Sequence, residues 1–184
     1  DWEDEEIDRT VSISSSLAHC EWNRHKLNLI DTPGMGNFLA DARAALRVAE
    51  AAVVVVDAVG GVQVSTEKVW ADAEETHLPR LIVVSRLDRD RASLDRALES
   101  VRSTLSRNAV PVQLPIGEEK NFRGVIDLVA MKAYTFAGDE SGKMTEEPVP
   151  DTQAAAAGAG RDALIEMVAE ADDALMEKFF EAGT

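Results

Sequence analysis

The sequence predicts a doubly wound α/β sheet, and two observations carry that prediction. Short apolar runs of strand length alternate, in the first part of the chain, with segments whose apolar side chains recur at helical spacing. Two of these runs are followed directly by the polar and turn-forming residues that ligand-binding loops use. A repeated strand–helix order of this kind is typical of a sheet with helices on both faces.

The elements follow in order along the first part of the chain. An alternating segment predicts a half-buried strand near the start, and the next strand ends at a Thr-Pro-Gly turn. Wholly apolar, β-branched residues at 53–56 predict a strand buried on both faces, and 81–84 predicts another buried strand. The predicted strands are 10–14, 27–31, 53–56 and 81–84, and the predicted helices are 38–50, a helix capped by Ser65 or Thr66 through Thr76, and 92–106.

The strand–helix pattern of the sequence ends near residue 109, where we place a domain boundary between 1–109 and 110–184. Extended, proline-interrupted residues open the second part, and they are followed by two predicted short strands, 124–129 and 132–136. Residues 137–160 are acidic and rich in Gly, Ala and Pro, which predicts an irregular link. A helical pattern over 161–181 ends the chain.

Composition limits the classes of function. The 184 residues hold 19 basic and 34 acidic side chains, a net charge of −15, which argues against a free-standing nucleic-acid binder. Cys20 is the single cysteine, so a disulfide framework is excluded and a reducing compartment fits. No apolar run approaches the ~20 residues that a membrane span needs. We therefore expect a cytoplasmic protein with no membrane segment, and we also expect it to be a monomer.

Asp31-Thr32-Pro33-Gly34 follows the second predicted strand directly. An Asp at this place can hold Mg²⁺, usually through a water molecule, and a Gly lets a backbone N–H approach a terminal phosphate. Taken alone, the four residues are equally compatible with an ordinary turn.

Ser85-Arg86-Leu87-Asp88 follows the strand predicted at 81–84. In nucleotide-binding α/β domains, Asn-Lys-x-Asp at this place reads guanine through the Asp carboxylate. Asp88 stands in that position, and the guanidinium of Arg86 could lie along a base. Ser85 and Arg86 depart from Asn and Lys, so this motif alone is weak.

A third segment, Arg9-Thr10-Val11-Ser12-Ile13, lies about 20 residues before Asp31 in the chain. The hydroxyl of Ser12 could ligate Mg²⁺ and sense a terminal phosphate. Three weak motifs in one order and spacing are jointly strong.

Together these residues resemble the GTPase domain of elongation factor G, the ribosomal translocase. The resemblance covers essentially all 184 residues, including parts of an insert that distinguishes this family from small GTPases. The further similar segments are Asp1–Ile13, Ala45–Val48, Asp57–Gln63, Glu67–Trp70, Gln113–Gly117, Phe122–Leu128 and Leu175–Phe179.

The resemblance implies a P-loop GTPase sheet that lacks its first and last core strands here, with an α+β insert subdomain. It implies GTP or GDP and Mg²⁺ as ligands, and the ribosome as partner. Ser12 and Asp31 would serve the magnesium ion. The nucleotide would be contacted by the set Asp31, Thr32, Pro33, Gly34, Ser85, Arg86 and Asp88.

Two departures bear on activity. Met35 occupies the position of the family's catalytic histidine, and a thioether is a poor hydrogen-bond partner for an attacking water, so the catalytic residue is unknown. Ser85 lacks the amide that braces the nucleotide site, which predicts weaker or less selective guanine binding. No Gly-x-x-x-x-Gly-Lys-[Ser/Thr] occurs in the chain, and we expect the chain alone to be inactive.

The interpretation from sequence is thus part of a GTP-binding translation elongation factor that couples hydrolysis to movement on the ribosome. Three alternatives stay open: a ribosomal protection factor, a weakly hydrolysing regulatory GTP-binding paralogue, and an α/β interaction domain without nucleotide.

Overall fold

The computed structural model describes residues 3–139, 141–171 and 173–182. Residues 1–2 of the similar segment 1–13 and residue 172 of the predicted helix 161–181 lie outside these ranges. The described strands are β1 (Ser16–Trp22), β2 (His25–Asp31), β3 (Ala52–Asp57), β4 (Arg80–Ser85), β5 (Gln113–Ile116), β6 (Gly124–Asp127), β7 (Lys132–Phe136) and β8 (Met144–Pro148). The described α-helices are α1 (Asp4–Arg9), α2 (Leu39–Leu46), α3 (Val64–Glu75), α4 (Leu94–Thr104), α5 (Ala154–Ala169) and α6 (Asp173–Ala182).

The chain divides into two compact units. The first contains the described residues of 1–56 and 62–83, and the second contains those of 57–61 and 84–184. This grouping by contacts does not test the boundary near residue 109, which stays a prediction.

The start of the first unit differs from the prediction. Residues 10–14 are not a strand: α1 ends at Thr10 in the left-handed conformation, an irregular loop follows, and β1 begins only at Ser16. The physical reason is that the N–H groups of Ile13 and Ser14 donate to the Glu6 carboxylate, so they are not available to a sheet.

Strands β1 and β2 form an antiparallel hairpin in which Ser16 lies opposite Asp31 and Trp22 lies opposite His25. The predicted strand 27–31 is confirmed as the second part of β2. A short 3₁₀ turn, Gly36–Phe38, then leads into α2, which is shorter than the predicted helix 38–50.

Strands β3 and β4 form a second two-stranded sheet. They run in the same direction, because Ala52 N donates to Pro79 O and Ala58 N donates to Ser85 O. The expectation that both strands are fully buried is wrong. Alternate side chains of each strand are exposed, and Val53 and Val55 remain 61% and 60% exposed, because no described element covers that face.

Helices α3 and α4 begin at recognisable caps. The N-cap of α3 is Gln63 rather than Ser65 or Thr66, and Thr66 completes a capping box with it. Ser93 caps α4, and its side chain accepts the N–H of Arg96.

In the second unit, β5, β6, β7 and β8 form a four-stranded antiparallel sheet in that order. Helix α5 packs on it, and the core contains the fully buried Ile126, Leu128 and Ala157. Gly124 is required at its place in β6, because a Cβ there would collide with the Tyr134 carbonyl.

Two predictions for this unit are wrong. Residues 137–160 are not an irregular link throughout, since they contain β8 and the start of α5. The pairing of β8 with β7, which a composition rich in Gly, Pro and acids does not indicate, explains the difference. The single helix predicted over 161–181 is two helices, α5 and α6.

Candidate functional site

Asp31 is the last residue of β2, and its backbone register opposite Ser16 places it where the hairpin opens into the following loop. Among the residues that follow, Pro33 and Gly34 differ in their surroundings. Pro33 is fully buried, whereas a Cβ on Gly34 would meet no atom within 4 Å. The backbone at Gly34 therefore has the free space that the approach of a phosphate requires.

Met35 directly follows this open position and is 50% exposed. Its thioether can offer only weak hydrogen bonding to water or to a phosphate. The side chain is accessible to solvent at the place where the resemblance expects a histidine, and it brings no imidazole there.

Ser12 lies within the irregular loop between α1 and β1, which we call the 10–15 loop. Val11 N donates to Glu6 O at 3.2 Å, and Ile13 N and Ser14 N donate to Glu6 Oε1 at 2.8 and 2.9 Å. The loop is therefore folded back onto α1, and Ser12 stands at its centre, partly accessible.

Ser12 and Asp31 lie in the same compact unit and offer a hydroxyl and a carboxylate. These hard oxygen donors suit Mg²⁺, which is commonly held by one or two protein groups together with substrate phosphates. Within the described ranges no group of three or more His, Cys, Asp or Glu could hold a metal ion. A hydroxyl and a carboxylate are donors of the type that a magnesium ion shared with a nucleotide uses, and the assignment of these two to one ion is a prediction.

The second predicted segment follows β4 and lies in the other unit. The carbonyl of Ser85 accepts the N–H of Ala58, so the end of β4 is tied to the turn that follows β3. Arg86 adopts a left-handed conformation with a φ of 61°. Its carbonyl accepts the N–H of Arg89, which closes the turn that carries Asp88. We call residues 85–89 the 85–89 loop.

The guanidinium of Arg86 pairs with Asp57 at 2.9 Å between Nη1 and Oδ2. The other carboxylate oxygen of Asp57 accepts the N–H groups of Val59 and Gly60 at 2.7 and 2.8 Å. These hydrogen bonds, first that of Gly60, and the Arg86 guanidinium lower the pKa of Asp57 below its ordinary value. Asp57 thus stays ionised and holds Arg86 beside the turn.

Asp88 is exposed. Within the part of the chain that the structure describes, no hydrogen bond or ion pair to its carboxylate is found. Both oxygens can therefore accept hydrogen bonds from a ligand such as the N–H groups of a guanine edge.

The predicted site residues are divided between the two compact units. Ser12, Asp31 and Gly34 belong to the first unit, and Ser85, Arg86 and Asp88 belong to the second. Their assignment to nucleotide and magnesium stays a prediction.

Sequence reasoning missed Glu6 and Asp57. The signal for Glu6 was a capping-box spacing, since the side chains of Glu3 and Glu6 each accept the other's backbone N–H. The signal for Asp57 was its place after a strand, which is also the place of Asp31.

The chain is similar to known proteins in sequence and in structure. The family described as "Elongation factor Tu GTP binding domain" matches residues 1–177. A crystal structure of a protein from Thermus thermophilus is similar at a TM-score of 0.88 and 35% sequence identity, over 98% of this chain. The match covers 27% of the Thermus chain, so this chain spans only about a quarter of that protein. Among the described helices, none is both long and apolar enough to span a bilayer.

Proposed function

This chain belongs to the family of the elongation factor Tu GTP-binding domain, and from that premise we propose that it is part of an elongation factor G-like GTPase. The complete protein would bind GTP and couple its hydrolysis to movement on the ribosome. It would act in the cytoplasm as a monomer. The resemblance to a translational GTPase is confirmed by the family match over residues 1–177, and the translocase role is the proposal.

One observation carries the proposal furthest. Asp31–Gly34 follows β2 and Ser85–Asp88 follows β4, each immediately at the strand's end, in a chain whose family is defined by GTP binding. Ligands of open α/β sheets bind beyond the carboxyl ends of strands, and β4 is a strand of the β3–β4 pair. Asp31–Gly34 leaves the antiparallel β1–β2 hairpin instead, so for that segment the support comes from its residue types and from its order along the chain relative to Ser85–Asp88.

The proposed roles follow from the chemistry of each group. The Asp88 carboxylate would accept two N–H groups from the guanine edge, and Gly34 would offer its backbone N–H to the terminal phosphate. Ser12 and Asp31 would hold Mg²⁺, Asp31 through a water molecule. When bound, the ion neutralises charge on the phosphate oxygens.

Met35 determines our expectation for the intrinsic rate of GTP hydrolysis. Without an imidazole at this position, an attacking water lacks a strong hydrogen-bond partner from this loop. We expect slow intrinsic hydrolysis in the complete protein that depends strongly on the ribosome. Ser85 adds a second expectation, which is weaker or less selective binding of guanine nucleotides than in relatives with Asn there.

The activity is proposed for a longer protein because this chain matches only 27% of the Thermus chain and contains no Gly-x-x-x-x-Gly-Lys-[Ser/Thr]. That motif cradles the phosphates and supplies a lysine and a magnesium-binding hydroxyl. The 184-residue chain alone is expected to fold poorly and to bind no GTP. A cooperative melt of the purified chain that GTP shifts upward would contradict this expectation.

Phosphate release from GTP by the full-length protein, measured with and without ribosomes, tests the proposed function. Strong stimulation by ribosomes is expected, and Met35→His should raise the intrinsic rate. Met35→Gln is the matched control, since its amide has hydrogen-bonding capacity but no basic imidazole nitrogen. A full-length protein that binds no guanine nucleotide would overturn the proposal.

Met35 and Ser85 favour one second candidate, a regulatory paralogue that binds GTP and hydrolyses it weakly. It predicts GTP-dependent association with the ribosome but no ribosome-stimulated phosphate release. The same assay therefore separates the enzyme from the binding protein.

A further inference from the structure

We infer that Glu6 is the positioning residue that holds Ser12 in place for a magnesium ion. The inference rests on the proposed function and adds to it Glu6, which lies outside the segment Arg9–Ile13 that contains the proposed magnesium ligand. Glu6 is 0% exposed in a helix whose neighbouring side chains, Glu5 and Ile7, are exposed. A buried carboxylate on a short surface helix requires compensation, and here that compensation comes from the 10–15 loop.

The contacts bracket Ser12 on both sides. The residue before it, Val11, donates its N–H to the backbone carbonyl of Glu6 at 3.2 Å. The residue after it, Ile13, donates its N–H to Glu6 Oε1 at 2.8 Å. One residue therefore fixes the backbone immediately before and after the hydroxyl that would meet the ion.

Further contacts close the loop. Ser14 N donates to the same Oε1 at 2.9 Å, and Ser14 Oγ donates to Glu3 Oε1 at 3.3 Å. Glu3 N in turn donates to Glu6 Oε2 at 3.3 Å. Both oxygens of Glu6 are engaged, so the carboxylate can rotate away only by breaking bonds on both sides.

The two oxygens permit a graded set of variants. In Glu6→Gln, the amide oxygen can keep the two short bonds to Ile13 and Ser14, while the amide nitrogen faces the N–H of Glu3 and cannot accept it. Glu6→Ala removes the acceptor of all three N–H groups. Glu5→Gln is the matched control, since Glu5 is exposed on the same helix and pairs with Arg9 at 2.6 Å.

The experiment uses the full-length protein that contains this chain and two readouts. Amide hydrogen exchange reports the protection of the Ile13 and Ser14 N–H groups without nucleotide. Binding of GDP and of a non-hydrolysable GTP analogue, each with Mg²⁺ and with EDTA, reports the contribution of the ion. Melting temperatures show that each variant is folded.

Glu6→Ala is expected to lose the protection of both amides and to lower the affinity for the GTP analogue in Mg²⁺ by at least about tenfold, with GDP affinity nearly unchanged. Glu6→Gln should show a smaller loss, and Glu5→Gln should behave as the wild type. A loss of affinity for the GTP analogue alone would indicate that Glu6 positions the ion. A general loss of structure would lower the affinity for both nucleotides.

Two results with Glu6→Ala would each overturn the inference. One is a Glu6→Ala protein that keeps its magnesium-dependent affinity, and the other is an equal loss of GDP affinity and of analogue affinity in that variant. Ser12→Ala separates this inference from the proposed function. If Ser12→Ala leaves the magnesium dependence intact, the metal assignment fails and the inference fails with it. If Ser12→Ala lowers the magnesium dependence of nucleotide affinity and Glu6→Ala does not, only the inference about Glu6 fails.

Discussion

The 10–15 loop and the 85–89 loop are both proposed to contact the nucleotide or its magnesium ion, but different interactions hold them. The first is held by the fully buried carboxylate of Glu6, which accepts backbone N–H groups on both oxygens. The second is held by an ion pair in which Arg86 is 61% and Asp57 28% exposed. Exposed ion pairs contribute about 0–1 kcal/mol and are screened by salt, whereas a buried acceptor is costly to remove.

This difference indicates which substitutions would change the shape of each loop. The shape of the 10–15 loop depends mainly on the Glu6 side chain, whose carboxylate is shielded from solvent, and to a smaller extent on Glu3 and on the backbone bond from Val11 N to Glu6 O. The shape of the 85–89 loop rests mainly on backbone hydrogen bonds, such as Ala58 N to Ser85 O, and its side-chain pair makes only a small contribution. Removal of side chains should therefore deform the first loop and leave the second largely intact.

The strongest effect is expected in the second loop and concerns recognition rather than shape. In the full-length protein, Asp88→Asn should reduce the preference for guanine over adenine nucleotides by about a hundredfold or more, since the amide presents a donor to the guanine N–H groups. Competition binding with GDP and ADP measures this preference.

The matched control is Asp90→Asn. Asp90 is exposed in the same segment and lies 3.4 Å from Lys120 Nζ. Its replacement should leave selectivity unchanged. An equal loss in both variants would show that charge in this segment, and not the position of Asp88, determines selectivity.

A second prediction tests strain in the 10–15 loop. Thr10 is β-branched and adopts a left-handed conformation with a φ of 51°. Thr10→Gly should raise the free energy of unfolding by up to about 1 kcal/mol, because Gly adopts this conformation without a steric cost. Thermal or denaturant unfolding measures the change. Destabilisation instead would mean that the Thr10 hydroxyl, which donates to Arg9 O at 2.7 Å, matters more than the strain.

A third prediction tests the exposed ion pair. Asp57→Asn keeps the acceptor for Val59 and Gly60 but removes the charge that Arg86 faces. It should weaken nucleotide binding by at most about 1 kcal/mol, and the difference should shrink in high salt. Isothermal titration calorimetry at two salt concentrations measures this.

The control is Asp72→Asn, which removes the charge facing Arg43 from a pair of 2.7 Å in the other unit. That change should leave nucleotide affinity unaltered. If Asp57→Asn costs far more than about 1 kcal/mol of binding free energy and does not respond to salt, the two loops are held by interactions of similar strength and the contrast between them disappears.

The weakest effect concerns pH. Because the folded pKa of Asp57 is lowered, the stability that its ionised form contributes is fully present above the ordinary carboxyl pKa of about 3.9 and is lost as pH falls through the lowered value. Between neutrality and that ordinary pKa, the contribution of this group should not change. Carbon-13 NMR titration of the Asp57 carboxyl in wild type and in Arg86→Ala measures it, and the variant should titrate at higher pH.

The order of most strands and helices was predictable because their patterns are local. Asp31 ends a strand and Ser85 ends another, as the apolar runs before them indicate. The alternation at 10–14 was misleading, since a period of two records side-chain polarity and not the partners of the backbone N–H groups. Burial of β3 on both faces was also wrong, because an apolar run does not state which elements cover it.

The candidate site divides in the same way. Residue type and spacing are enough to identify the chemical groups that follow β2 and β4, and to show Met35 and Ser85 where a histidine and an asparagine are expected. The folded arrangement was needed to reveal that Glu6 is buried against the 10–15 loop and that Arg86 pairs with Asp57. The capping-box spacing marks Glu6 but does not show that the loop folds back onto it, and Arg86 and Asp57 are 29 residues apart in the chain. Both sets of contacts form because folded backbone N–H groups and charges must find partners in space.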